Sequence, residues 1–130
     1  VITRAWQPGD VVRIDLPMPI RRVLAHNRVE ADRDRVAIQR GPVVYAVEWA
    51  DNPGVPVRSL LLPDDAALAA RFDPNRLNGV VVVEGEARIP MPDRTQVVTT
   101  RFTAIPYYAW ANRGEGEMIV WLRRNTAGNH

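Results

Sequence analysis

Paired carboxylates are the first chemistry to look for in this chain, because cleaving a glycosidic bond needs two carboxyl groups held roughly 5 to 10 Å apart. Glu84 and Glu86 lie two apart on an expected strand and so share one face. Glu115 and Glu117 bracket Gly116 in a turn, and Asp64-Asp65 suits the start of a helix. None sits among the apolar neighbours that lift a carboxyl pKa, so each reads as a solvated charge. Metal ligation is poorly served: the two histidines, His26 and the terminal His130, form no HxxxH pair, and there is no cysteine. Lack of cysteine also removes thiolate nucleophiles and disulfides. Ser59 stands in no G-x-S-x-G elbow, and the glycines form no phosphate loop. No residue is therefore assigned a catalytic or metal-binding role.

The aromatics offer a different chemistry, stacking on the C–H face of a sugar ring. Trp6, Trp49, Tyr108 and Trp110 could do this from the surface of a β domain. The competing role is to fill the layer between sheets, with indole N–H and phenol O–H bonded to backbone. Trp49 and Trp121 read as core, whereas Tyr108 and Trp110, close to a loop, are open to either role. Asn112 and Arg113 sit beside Trp110 at an expected hairpin tip. They could touch a ligand or a neighbouring domain, or only fold the turn. Tyr108, Trp110, Asn112 and Arg113 are thus the candidate contact residues, for carbohydrate or for another domain.

The chain has 130 residues, the size of one domain, enough to bury roughly two thirds of its unfolded surface. Its net charge is +2, with seventeen arginines interleaved among fifteen acidic residues, so no basic stripe fits a phosphate backbone. Nucleic acid is not an expected partner. The apolar run Met118 to Leu122 is too short to cross a bilayer, and Val1 opens a strand-like segment with no charged n-region, so neither span nor signal peptide is expected.

The elements that must position these side chains read mostly as strands. Val1 to Trp6 and Val11 to Leu16 flank the turn Pro8-Gly9-Asp10, and the second of them alternates with a period of two. Arg22 to Ala25 and Arg28 to Glu30 are weak strands. Val36 to Gln39 meets the breaker Gly41-Pro42 and continues as a strand from Val43 to Trp49. Ser59 to Leu62 is short. Asp64 to Phe72 is the one helical candidate, with apolar residues at helical spacing after Pro63. Asn78-Gly79 turns into Val80 to Ile89, whose four valines favour burial on both faces. Thr95 to Ala104 follows, and Ala104 to Leu122 reads as a hairpin about Asn112 to Gly116. About eight short strands and at most one short helix predict an all-β fold, an antiparallel two-layer β-sandwich of jelly-roll type, with a closed barrel as the rival.

Four stretches, RAWQPGDVVRIDLPMP, RVAIQRGPVVYAVEWADN, RLNGV and IPYYAWANRGEGEMIVWL, in this order resemble the C-terminal β region of glycoside hydrolase family 127, the β-L-arabinofuranosidase type. The shared positions include Arg4, Trp6, Gly9 and Asp10; Arg40, Gly41, Pro42, Tyr45, Glu48, Asp51 and Asn52; and Pro106, Tyr107, Trp110, Asn112, Arg113, Gly114, Met118, Val120 and Trp121. The resemblance implies that catalysis belongs to an (α/α)6 barrel bearing a cysteine nucleophile, a glutamate acid/base and a zinc ion, none of which maps onto this chain. It implies a non-catalytic accessory domain from a bacterial source. The expected partners are the catalytic barrel, a second copy in a homodimer, or arabinose-containing glycans. Residues 1–130 read as a single domain, of which 1–20 could be the last strands of a preceding sandwich. Cytoplasm and secretion both stay open.

Overall fold

The computed structural model describes residues 1–93 and 96–126; Thr95 and His130, named above, lie outside the described residues. It contains β1 (Ile20–Leu24), β2 (Arg35–Arg40), β3 (Val43–Glu48), β4 (Leu61–Pro63), β5 (Leu68–Asp73), β6 (Val80–Pro90), β7 (Val97–Pro106), β8 (Met118–Ile119) and β9 (Leu122–Asn125). Single 3-10 turns lie at Glu30–Asp32, Trp49–Asp51, Val57–Ser59 and Tyr107–Ala109, and no α-helix occurs among the described residues.

The all-β expectation holds, but the layers do not. Pairing runs β2-β9-β4-β6-β7-β3 and returns to β2, closing a ring of six strands. β1, β5 and β8 are added outside it, on β2, β6 and β3 respectively. Closure turns on β2. It gives one edge to β1 along Val36 to Arg40, while β9 takes its start at Arg35 and Val36 and β3 takes its end at Gln39 and Arg40. No free edge is left there to divide a sandwich, so the rival barrel is the better description. One pair in the ring is parallel, β4 beside β9.

Val36, Ile38, Tyr45, Val47, Leu62, Val83, Phe102 and Leu122 form the main core. A smaller cluster of Val80, Val82, Ile105 and Ala109 has Leu77 and Trp110 packed against it. The adjacent Val82 and Val83 fall in different clusters, as do Ala104 and Ile105, so β6 near its start and β7 near its end are covered on both faces. This is the double burial that the valine run implied.

Four local expectations are corrected. Asp64 to Phe72 is not a helix: Leu68 to Asp73 zips onto β6 from Leu68↔Gly85 to Asp73↔Val80, and one marginal turn of helix cannot compete with that ladder. Ala104 to Leu122 is not a hairpin. At Val47, β7 pairs through Ala104 and β8 through Ile119, so β3 lies between the two arms. Residues 107–117 therefore cross over the end of β3. Third, Val1 to Trp6 and Val11 to Leu16 enter no ladder, although their turn forms, with Asp10 N–H on Gln7 O at 3.0 Å and Gly9 at φ 91°. Arg28 to Glu30 is likewise not a strand.

Candidate functional site

The crossover is held by a buried ionic cluster. Glu48 ends β3 and is 1% exposed, and the chain then folds through Trp49–Asp51, bringing the Asp51 carboxylate, also 1% exposed, beside it. Arg113, arriving on the crossover, donates from Nη1 to Asp51 Oδ1 at 2.6 Å and from Nη2 to Asp51 Oδ2 at 2.7 Å. The same Nη2 reaches Glu48 Oε2 at 2.7 Å. This is the two-pronged geometry that a planar guanidinium gives and an ammonium does not. Arg76, from the β5–β6 turn, adds a bond to Asp51 Oδ1 at 3.1 Å and an ion pair to Asp73 at 3.2 Å. The hydrogen bonds to Asp51, and then those to Glu48, hold the Arg113 guanidinium well above its ordinary pKa against the pull of desolvation.

Neutral bonds complete the clamp. Asn52 donates to Glu48 O at 2.8 Å and Thr103 O at 2.9 Å, and accepts from Thr103 N–H at 2.7 Å, tying the turn to β7. Ala111, at the unusual φ of 66°, gives its N–H to Glu48 Oε1 at 3.2 Å. Trp49 N–H bonds to Glu117 O at 2.9 Å, and its ring lies flush on Gly116, where a Cβ would come within 2.0 Å of the indole.

The four candidate contact residues all belong to this crossover, with different surroundings. Tyr108 is 75% exposed. Trp110 is half-buried on the smaller cluster, 6.2 Å from the Tyr107 ring and tilted 39° to it. Asn112 folds the turn, donating to Ala109 O at 2.9 Å and Trp110 O at 3.3 Å. Arg113 is the centre of the clamp. Of the aromatics expected inside, Trp49 is 38% exposed and Trp121 is half-buried at the wall of a cleft.

The carboxylate pairs noted in the sequence are not brought into a reactive arrangement. Glu84 is bonded by Arg71 at 2.6 Å, a hydrogen bond that lowers its pKa although burial opposes it. Asp64 is held by Arg124 at 2.7 and 3.0 Å, which lowers its pKa likewise, and it caps no helix. Glu86, Glu115 and Glu117 are exposed, and His26 accepts a loop N–H from Arg28. Among the described residues no group of three or more His, Cys, Asp or Glu could hold a metal ion. Sequence reasoning missed Glu48 and Asp51, which lie 65 and 62 positions from Arg113. The signal that could have found them was their place beside Arg113 among the positions of the family resemblance.

Besides a small polar cleft of about 300 Å³ that brings Asp65 and Glu86 into one lining with Arg88, two larger clefts open among the described residues. The larger, about 1010 Å³, has Arg35, Gln39 and Arg58 as its polar lining and no carboxylate. The smaller, about 610 Å³, lies beside Trp49, Asn52 and Glu117. Neither surrounds the Glu48–Asp51 pair.

The family model described as the glycoside hydrolase family 127 C-terminal domain matches residues 20–123. A non-reducing end beta-L-arabinofuranosidase of Bifidobacterium longum subsp. longum is 37% identical over 137 aligned residues, which cover 89% of this chain and 20% of the relative. A crystal structure of a GH127 beta-L-arabinofuranosidase from Geobacillus stearothermophilus T6 superposes with a TM-score of 0.78 at 44% identity, over 84% of this chain and 19% of that one. A second GH127 beta-arabinofuranosidase structure gives 0.74 at 41% identity, over 83% and 17%. The chain thus spans about one fifth of the length of the curated relative it matches.

Proposed function

From its place in the glycoside hydrolase family 127 C-terminal domain family, to which this chain belongs, we propose that the domain is a non-catalytic support within a longer β-L-arabinofuranosidase-like enzyme. It buttresses a catalytic domain carried elsewhere on that polypeptide, or serves a contact between subunits. The observation that carries this reading is the state of the buried acids: Glu48 and Asp51 are both consumed by arginine, with side chains 2% and 1% exposed. A glycosidase acid must hold a proton to give away and must face the substrate, and neither of these carboxylates has a path to one. The nucleophile, the acid/base and the zinc that the resemblance implies are assigned to the absent catalytic domain. Residues 1–19, outside the family match, are assigned to the tail of a preceding β domain.

The test is an activity comparison. The 130-residue chain is expected to leave a β-L-arabinofuranoside untouched, and the same chain extended N-terminally to the length of its relatives is expected to hydrolyse it. Turnover by the short chain alone would overturn the proposal.

A second reading, carbohydrate binding by Tyr108 and Trp110, is favoured by the 75% exposure of Tyr108. The neighbouring Tyr107 ring is tilted 39° to Trp110, so those two rings do not extend the surface as a flat stacking platform. Titrating arabinose-containing oligosaccharides against tryptophan fluorescence separates the two readings, and a flat response at millimolar sugar removes the second.

A further inference from the structure

The larger cleft lies against β1, β2 and β3, and much of its wall is side chains that a free-standing barrel would be expected to turn from water. Val23, Ala37, Val44, Tyr107, Met118 and Trp121 all contribute to it. Of these, Val44 and Tyr107 are 39% and 48% exposed. Residues 1–19 leave the barrel at the same corner. Pro19 O accepts the Gly41 N–H at 3.1 Å, and Met18 packs against Gly41, three residues before Val44. Gly41 has φ 55°, and an added Cβ would meet Met18 at 3.0 Å, so the glycine both makes the β2–β3 turn and seats the departing segment. Along that segment Trp6, Val12, Ile14 and Leu16 are exposed and unpaired in any ladder. Exposed apolar side chains gathered at a cleft and on the segment beside it are the kind of surface that a contact covers. The matched family model is a C-terminal domain and the chain spans 20% of its curated relative, so most of such a polypeptide precedes it.

We infer that the Val44–Tyr107–Trp121 cleft, together with the segment that leaves beside it, is the seat of the polypeptide that precedes residue 1 in a chain of the relatives' length. The inference rests on the reading of this domain as part of a longer enzyme, and it names the face through which support is delivered. An apolar ridge fills the cleft, with acidic groups facing Arg35 and Arg58 in its lining. The exposed face of β5 and Met91, just after β6, stay in solvent.

Hydroxyl-radical footprinting read by mass spectrometry tests this without substitutions, because it reports on tyrosine, methionine and tryptophan directly. Tyr107, Met118 and Trp121 are expected to label in the 130-residue chain and to lose that labelling severalfold in the extended chain. Phe72, 61% exposed on β5, and Met91, 38% exposed after β6, serve as internal references and are expected to label alike in both. Equal labelling of the three cleft residues in the two chains overturns the inference, and so does protection that includes Phe72 and Met91. Protection already present in the short chain, with a dimeric mass by sedimentation, replaces the preceding polypeptide by a second copy and overturns it too. Failure of the support role itself has a different signature: excising residues 20–126 from the extended enzyme would change neither its activity nor its stability, whatever the footprint shows.

Discussion

At the scale of single residues, the clamp is an arrangement in which each charge depends on another. Removing Arg113 takes from the buried Glu48 its ion-pair partner among the described residues and leaves Arg76 on Asp51, and stripping one partner from a buried pair costs about 3–5 kcal/mol. Arg113→Ala should therefore lower the denaturant midpoint of the chain by an amount of that order. Arg113→Lys should fall between, since the charge stays but the fork that spans two carboxylates is lost. An Arg113→Ala midpoint equal to wild type would show that the cluster contributes nothing. Glu84 makes a smaller, pH-dependent contribution. The hydrogen bond from Arg71, against some desolvation, lowers its folded pKa below the unfolded value. Its stabilisation is thus full above the ordinary glutamate range and is lost as pH falls through the lowered folded value. Glu84→Gln should flatten the stability curve below about pH 4–5, and an unchanged acid slope in a pH series of denaturant titrations would remove Glu84 from the account. Of the clamp's charged groups, residue chemistry in the sequence singled out Arg113 but not its buried partners, because Glu48 and Asp51 meet it across 65 and 62 positions.

At the scale of elements, local pattern succeeded where neighbours in sequence are neighbours in space. The Gly41-Pro42 turn joins β2 to β3, and Asn78-Gly79 feeds β6, both as the turn chemistry implied. It failed where a third strand intervenes. Nothing in residues 104–122 says that β3 will lie between the two arms, and a glycine-bearing loop of that length serves a crossover as readily as a hairpin. The Asp64–Phe72 segment fits helical spacing, yet what decided its fate was the ladder offered by β6. The crossover carries its own constraint at Gly116, whose missing side chain leaves room for the Trp49 ring. Gly116→Ala should displace the indole and cost about 1–3 kcal/mol, as overpacking does. Trp49→Leu in the same chain should recover part of that loss, so the two changes should be non-additive in a double-mutant cycle. Strict additivity would mean that the ring and the glycine are not in contact in solution.

At the scale of the molecule, the ring of strands is complete without the first nineteen residues. β1 begins at Ile20, the family match begins at the same residue, and the core clusters contain no side chain from before it. Met18 and Pro19 touch the barrel at Gly41. Before them the turn at Gln7–Asp10 is closed on itself, with Asp10 Oδ2 on Gln7 N–H at 2.8 Å and Arg4 stacked 5.4 Å from the Trp6 ring. Such a segment adds little to the barrel's stability and much to its exposed apolar surface. A chain starting at Pro17 should therefore unfold within about 0.5 kcal/mol of the 130-residue chain, the range of a surface change. It should also bind less of an apolar dye and self-associate less by sedimentation, because Val11, Val12, Ile14 and Leu16 are gone. A collapse of the midpoint on this truncation would mean that the segment packs into the barrel, and the boundary at Ile20 would have to move toward Val1.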